Sequence, residues 1–79
     1  MANSPEPKYM EKNDRDDVGI YISEFNGIDY LHVREMWISP RSGERNPTKK
    51  GVTLNIEKGV ELYKLLGDLL TEAGVLKAN

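Results

Sequence analysis

The sequence predicts an α+β fold in which an antiparallel sheet precedes one C-terminal helix, in the order β-β-β-β-α. The dipeptide Asn26-Gly27 lies between two runs rich in β-branched and aromatic residues, which is typical of a β-hairpin. From Ile56 to about Ala73 the leucines recur at helical spacing. The polar connection between these parts contains Pro40 and Pro47 and has room for two short strands, at residues 44–50 and 51–54.

The hairpin has a predicted register. If its loop is the dipeptide alone, paired residues are equidistant from it, so Ile22 lies opposite Leu31 and Ile20 opposite Val33. These four side chains share one apolar face, which we expect to point toward the core.

The opposite face of the hairpin is rich in aromatic residues. A solvent-facing side of an antiparallel sheet is normally more polar than this, so we regard the face as a candidate binding surface. Its members are Tyr21, Phe25, Tyr30, His32, Arg34 and Met36.

The helix has a wide apolar stripe. Asn55 is a favourable N-cap and Gly74 a favourable stop. The stripe is wider than one small sheet requires, which favours a second copy of the chain packed against it. It consists of Leu62, Leu66, Leu69, Leu70 and Ala73, and Tyr63 and Leu65 widen it.

Length and composition predict one small domain. Residues 1–17 contain few apolar side chains and are expected to form a disordered acidic tail, which leaves 18–76 for the folded domain. The chain has no cysteine, so neither a disulfide nor a cysteine-based zinc site can stabilise this unit, and a homodimer is the expected alternative. No segment has the length of a membrane span, so we expect an intracellular protein.

Charge is unevenly distributed along the chain. The net charge is −2, yet residues 34–51 carry five basic side chains against two acidic ones, a net of +3. Because salt screens charges more than about 8–10 Å apart, this local excess decides what the segment attracts.

The sequence disfavours an enzyme. It has no glycine-rich phosphate loop, and its single histidine and missing cysteines leave few catalytic schemes. The acidic run at residues 13–17 lacks the glycine and terminal glutamate of a calcium loop. We therefore expect no metal and no cofactor.

Several motifs in the run EFNGIDYLHVREMWISPRSGERNPTKKGVTLN keep a fixed order: an aromatic residue near a hairpin glycine, R-E-x-W, P-x-K-K-G, and a Leu-Asn pair before the helix. In these motifs the chain resembles the single-stranded-DNA-binding domain of the positive cofactor 4 family of transcriptional coactivators, over about residues 18–73. The short tail favours a bacterial or phage relative over a eukaryotic coactivator.

The resemblance implies a curved four-stranded sheet and a homodimer joined through the helices, with grooves that hold two antiparallel single strands. By position, Phe25 and Trp37 would stack on bases, and Arg34, Lys49 and Lys50 would contact the backbone or base edges. Arg45, Tyr21 and Tyr30 are further DNA-binding candidates. At Ser23, Asn26, Ile28 and Asn46 this chain lacks basic residues that are common in the family.

Trp37 has two interpretations. Strict strand alternation places it on the core face with Leu31 and Val33, opposite Arg34. A base-stacking role requires that the strand end bend or form a bulge, so that the alternation no longer holds.

Taken together, these features predict a sequence-nonspecific single-stranded DNA-binding protein that acts on unwound DNA in transcription regulation, replication, recombination or repair. Its expected partners are single-stranded DNA, a second copy of itself, and transcription or replication proteins. One alternative is a protein-interaction module of the same fold with weak DNA binding, and another is an RNA-binding protein. The expected location is the cytoplasm or nucleoid for a prokaryotic or phage source and the nucleus for a eukaryotic one.

Overall fold

Four strands and one helix form in chain order in the computed structural model, which describes residues 5–76. The strands lie side by side as an antiparallel sheet, and the helix follows the last strand directly, which confirms the predicted α+β class and element order. The elements are β1 (Lys8–Glu11), β2 (Asp16–Phe25), β3 (Ile28–Ile38), β4 (Arg45–Asn55) and α1 (Ile56–Glu72).

The first strand lies within residues 1–17, the segment predicted to be a disordered tail. Lys8–Glu11 pairs with β2, and β2 itself begins at Asp16, so the disorder prediction is wrong for these parts of residues 1–17. The reason is physical: an edge strand is stabilised by backbone hydrogen bonds to its neighbour and can keep polar, exposed side chains. Composition therefore gave no sign of it. Residues 1–4 lie outside the described residues.

The hairpin between β2 and β3 has the predicted turn and register. Asn26 and Gly27 both adopt positive φ, at 53° and 78°, as a two-residue hairpin turn requires. Ile22 pairs with Leu31, and Ile20 pairs with Val33.

The predicted pair of short strands after the connection is one continuous strand, β4, with a bulge. Arg34 pairs with Gly51 and Met36 with Pro47, so residues 48–50 lie opposite the single residue Glu35. Gly51 has φ of 152°, and a Cβ there would lie 2.5 Å from the carbonyl oxygen of Val33. Glycine allows β4 to continue where the sequence pattern indicated a break.

Helix α1 covers one end of the sheet face that carries Ile22 and Leu31, which we call the helix face. Gly59 is buried, and a Cβ on it would lie 2.8 Å from Cδ2 of Leu31, so the helix approaches β3 closely. The Asn55 side chain accepts a hydrogen bond from the backbone N–H of Lys58 at 2.9 Å, as expected for an N-cap. The helix ends near Ala73, with Gly74 at positive φ.

Candidate nucleic-acid interface

The sheet side opposite the helix carries most of the predicted binding residues. β2 and β3 pair Tyr21 with His32 and Ser23 with Tyr30, and side chains at alternate strand positions share a face. We call this side the aromatic face. Its central members are Tyr21, Ser23, Phe25, Tyr30, His32, Arg34 and Thr53.

His32 lies at the centre of this face and links three strands. Its ring stacks on Tyr21 with centroids 4.7 Å apart and planes within 14° of parallel. Its Nε2 lies 2.7 Å from the Ser23 hydroxyl, and its Nδ1 lies 3.2 Å from the Thr53 hydroxyl. The stack and the two hydrogen bonds fix the ring orientations, so the surface is organised before any ligand binds.

Arg34 is held across the junction between β3 and β4. Its guanidinium donates one hydrogen bond to the carbonyl of Thr48 at 2.8 Å and another to the hydroxyl of Thr53 at 3.0 Å. These bonds use two of the five guanidinium N–H groups. The charge is thus fixed in position while donors are left for a phosphate or a base edge.

The bulge in β4 brings the two predicted lysines close to Arg34 along the sheet. Lys49 and Lys50 are both exposed. The hydroxyl of Thr48 donates to the Glu35 carbonyl at 2.8 Å and accepts from the Lys50 N–H at 3.1 Å. Because the Thr48 carbonyl also accepts a hydrogen bond from Arg34, Thr48 connects the bulge to the Arg34 guanidinium.

The hairpin end of the aromatic face contains an open pocket of about 370 Å³. Phe25, at the tip, is 67% exposed, and with Tyr30 it supplies the aromatic part of the lining. Ser23, His32 and Thr53 supply hydroxyl and imidazole groups, and Glu24 completes the lining. Apolar ring faces beside small polar groups suit a nucleobase, which has apolar faces and polar edges.

Arg45, another predicted cation, makes contacts that the sequence did not indicate. Its Nε donates to Oδ2 of Asp17 at 2.6 Å, and its guanidinium lies 4.1 Å from the centroid of the Tyr9 ring. Asp17 is buried. Both partners belong to the segment expected to be disordered, so sequence reasoning missed them; the one available signal was an isolated tyrosine in a polar run.

The structure does not bring Trp37 together with Phe25 and Arg34. The β2–β3 register continues without a break from Asp16–Trp37 to Phe25–Ile28, so Trp37 lies on the helix face. The bulge belongs to β4 and does not rotate Trp37. Nevertheless Trp37 is 46% exposed and therefore not a core residue of this chain. It borders a separate open pocket lined by Asp14, Arg15, Ile38 and Pro40.

His32 predicts how the stability of the fold depends on pH. Burial, and secondarily the positive charge of Arg34, lower the pKa of His32 below 6.5. The unfolded chain then takes up this proton at a higher pH than the folded chain. The stability that neutral His32 contributes is fully present above pH 6.5 and is lost as pH falls through the lower folded-state pKa. Denaturant unfolding between about pH 5.5 and about pH 7.5 should show this loss.

A variant isolates the effect, because His32 is the single histidine of the chain. His32→Asn keeps a hydrogen-bonding side chain but does not titrate in this range. We expect its free energy of unfolding to change less with pH than that of the wild type. Parallel pH profiles for the two proteins would contradict the assignment.

An antiparallel sheet with one open aromatic face, cations along one edge and a helix on the other side defines a class of small α+β proteins. A family model described as Transcriptional Coactivator p15 (PC4) matches residues 12–65, and the chain belongs to this family. The predicted family resemblance is confirmed.

A solved structure extends this comparison. The fold is similar to that of a bacteriophage T5 homolog of the eukaryotic transcription coactivator PC4, which is implicated in recombination-dependent DNA replication. The two chains are 25% identical with a TM-score of 0.73, and the match covers 90% of this chain and 82% of the phage chain. Within residues 5–76, no helix is long and apolar enough to cross a membrane, and no group of three or more His, Asp or Glu side chains is arranged to hold a metal.

Proposed function

We propose that the protein binds single-stranded DNA with little sequence preference, as a homodimer, and acts on unwound DNA in transcription, replication, recombination or repair. The observation that carries the proposal is the aromatic face, where the stacked rings of Tyr21 and His32 lie beside Arg34 and two exposed lysines lie in the adjoining bulge. Membership of the PC4 family and the replication role of the phage T5 homolog support it.

This surface suits both parts of a single strand. Unpaired bases stack on aromatic rings, with about 1–3 kcal/mol per base, and Tyr21, Tyr30 and Phe25 offer such rings. The backbone phosphates would contact Arg34, Lys49 and Lys50. Duplex DNA hides the faces of its bases within the helical stack, so the rings favour the single strand.

The homodimer would form through α1. In the single chain the leucine stripe of the helix is largely exposed, with Leu69 at 65% and Leu66 at 50%. Met36, at 6% exposure, is the one hydrophobic side chain among the described residues that is buried, and none of them is buried completely. A second copy that packs on the stripe would remove this surface from water and enlarge a thin core.

A second candidate function is a protein-interaction module of the same fold. The observation that favours it is the low number of cations in the part of the chain that resembles the family's DNA-binding domain. Ser23, Asn26, Ile28 and Asn46 stand where basic residues are common in the family, and Arg45 is paired with Asp17. Each missing phosphate contact weakens DNA binding and lowers its salt dependence.

Fluorescence anisotropy distinguishes these functions. A labelled thymine oligomer of about 20 nucleotides, a matched duplex and a uridine oligomer would be titrated at about 50 and about 200 mM salt. We expect the thymine oligomer to bind at least about tenfold more tightly than the duplex, and to lose affinity at the higher salt. Tighter binding of the uridine oligomer would support RNA binding. Absence of binding to every oligomer at low salt would overturn the proposal and favour the protein-interaction module.

A further inference from the structure

The aromatic face extends beyond the hairpin to the edge strand β1. Tyr9 pairs with Gly19, which in turn pairs with Arg34 on β3. A Cβ on Gly19 would lie 3.2 Å from Cε1 of Tyr9 and 3.1 Å from Cγ of Met36. Because Gly19 has no side chain, the side chains of Tyr9 and Met36 can pack over it. The pairing places Tyr9 on the same face of the sheet as Arg34.

From this arrangement we infer that Tyr9 and Arg45 form an additional stacking platform for a nucleobase, at the β1 edge of the aromatic face. The inference rests on the proposed function and specifies a further part of its binding surface. Tyr9 lies outside residues 12–65, which the family model matches.

The geometry at this edge is that of a prepared stacking surface. The buried carboxylate of Asp17 binds Nε of Arg45, and the guanidinium lies over the Tyr9 ring at 4.1 Å. Both side chains nevertheless stay accessible: Tyr9 is 41% exposed and the side chain of Arg45 is 44% exposed. Bases stack on tyrosine rings and on guanidinium planes alike. Because the orientation is already fixed, little conformational entropy is lost on binding.

The same geometry predicts a salt dependence of affinity that distinguishes this stacking platform from a phosphate contact. Asp17 offsets the charge of Arg45, so stacking should dominate over attraction to the backbone. Removing Tyr9 should therefore lower affinity without changing the dependence of affinity on salt. Loss of a phosphate contact, in contrast, reduces the slope of log affinity against log salt concentration by about one.

The chain provides a matched control on the same strand. Met10 is adjacent to Tyr9 and 55% exposed, but alternation places it on the other side of the sheet. For thymine oligomers we expect Tyr9→Ala to weaken binding by about tenfold with an unchanged salt slope. Tyr9→Phe should bind within about twofold of the wild type, because the ring is kept. Met10→Ala should bind like the wild type.

A second variant covers the case in which Tyr9→Ala loosens β1. Arg45→Lys keeps the charge beside Asp17 but lacks a planar guanidinium, and we expect severalfold weaker binding with an unchanged salt slope. Equal affinities of Tyr9→Ala and Met10→Ala, or wild-type affinity of Arg45→Lys, would overturn the platform while the proposed function stands. Failure of the wild type to bind any single strand would overturn both.

Discussion

Replacing Arg34 with alanine is expected to weaken binding of single-stranded DNA by about tenfold to a hundredfold. The guanidinium is the central fixed cation of the aromatic face, and its bonds to Thr48 and Thr53 connect it to the lysine-bearing bulge. Under the proposed function its loss removes one phosphate or base contact, and it also removes the two hydrogen bonds that hold Arg34 to the strand carrying Lys49 and Lys50. Anisotropy titrations across a salt series should show both lower affinity and a slope reduced by about one.

Two further variants sharpen this test. Arg41→Ala removes the same charge from an exposed position in the connection between β3 and β4, outside the strands that form the aromatic face, and should change affinity little. Arg34→Lys keeps the charge but not the two-pronged hydrogen bonding, so we expect an affinity between those of the wild type and Arg34→Ala. If the Arg34→Ala and Arg41→Ala proteins bound single-stranded DNA with equal affinity, the assignment of Arg34 as a central DNA contact would be wrong.

The double substitution Leu66→Glu/Leu69→Glu is expected to convert the proposed dimer to a monomer and to lower its stability strongly. Both leucines are at least half exposed in the single chain, and two carboxylates from each copy would then meet at the interface. Burying unpaired like charges costs several kcal/mol. Sedimentation equilibrium should report the mass of one chain, and thermal unfolding should lose its dependence on protein concentration.

Lys64→Glu gives the matched control for this experiment. It changes the net charge by the same two units, but helical spacing places Lys64 on the opposite side of α1 from the centre of the leucine stripe. This variant should remain dimeric. A wild type that sediments as a monomer would overturn the proposed dimer, and a dimeric Leu66→Glu/Leu69→Glu variant would place the interface elsewhere.

The hairpin could be predicted in detail because its determinants are local. Asn26 and Gly27 specify the turn, and the turn specifies every pair between β2 and β3. The helix was equally predictable, since Asn55 and Gly74 mark its ends and the leucines repeat at its period. Both elements carry their information within a few neighbouring residues.

The edges of the sheet could not be predicted in this way. β1 owes its existence to pairing with β2, and its exposed polar side chains give no periodic signal. β4 appeared broken at Pro47 and Gly51, yet a bulge absorbs the irregularity and the strand continues. Such pairings depend on the neighbouring strand rather than on local preference.

The candidate site was also predictable from the sequence only in part. The members of the aromatic face on β2 and β3 follow from strand alternation once the hairpin register is known, whereas Thr53 joins them through the pairing of β4 with β3. The bonds that hold Arg34, and the contacts of Arg45 with Asp17 and Tyr9, cross between strands that are distant in sequence. Alternation correctly places Trp37 on the helix face, but its exposure depends on how far α1 extends over the sheet, which the sequence does not encode locally.

The most direct test of the account is to find which side of the sheet a bound thymine oligomer touches. Intermolecular nuclear Overhauser effects between thymine protons and assigned side chains measure this, because Tyr21 and Tyr30 lie on one side while Ile22 and Leu31 lie on the other. We expect contacts to the rings of Tyr21 and Tyr30 and none to Ile22 or Leu31. Contacts confined to the helix face would contradict it.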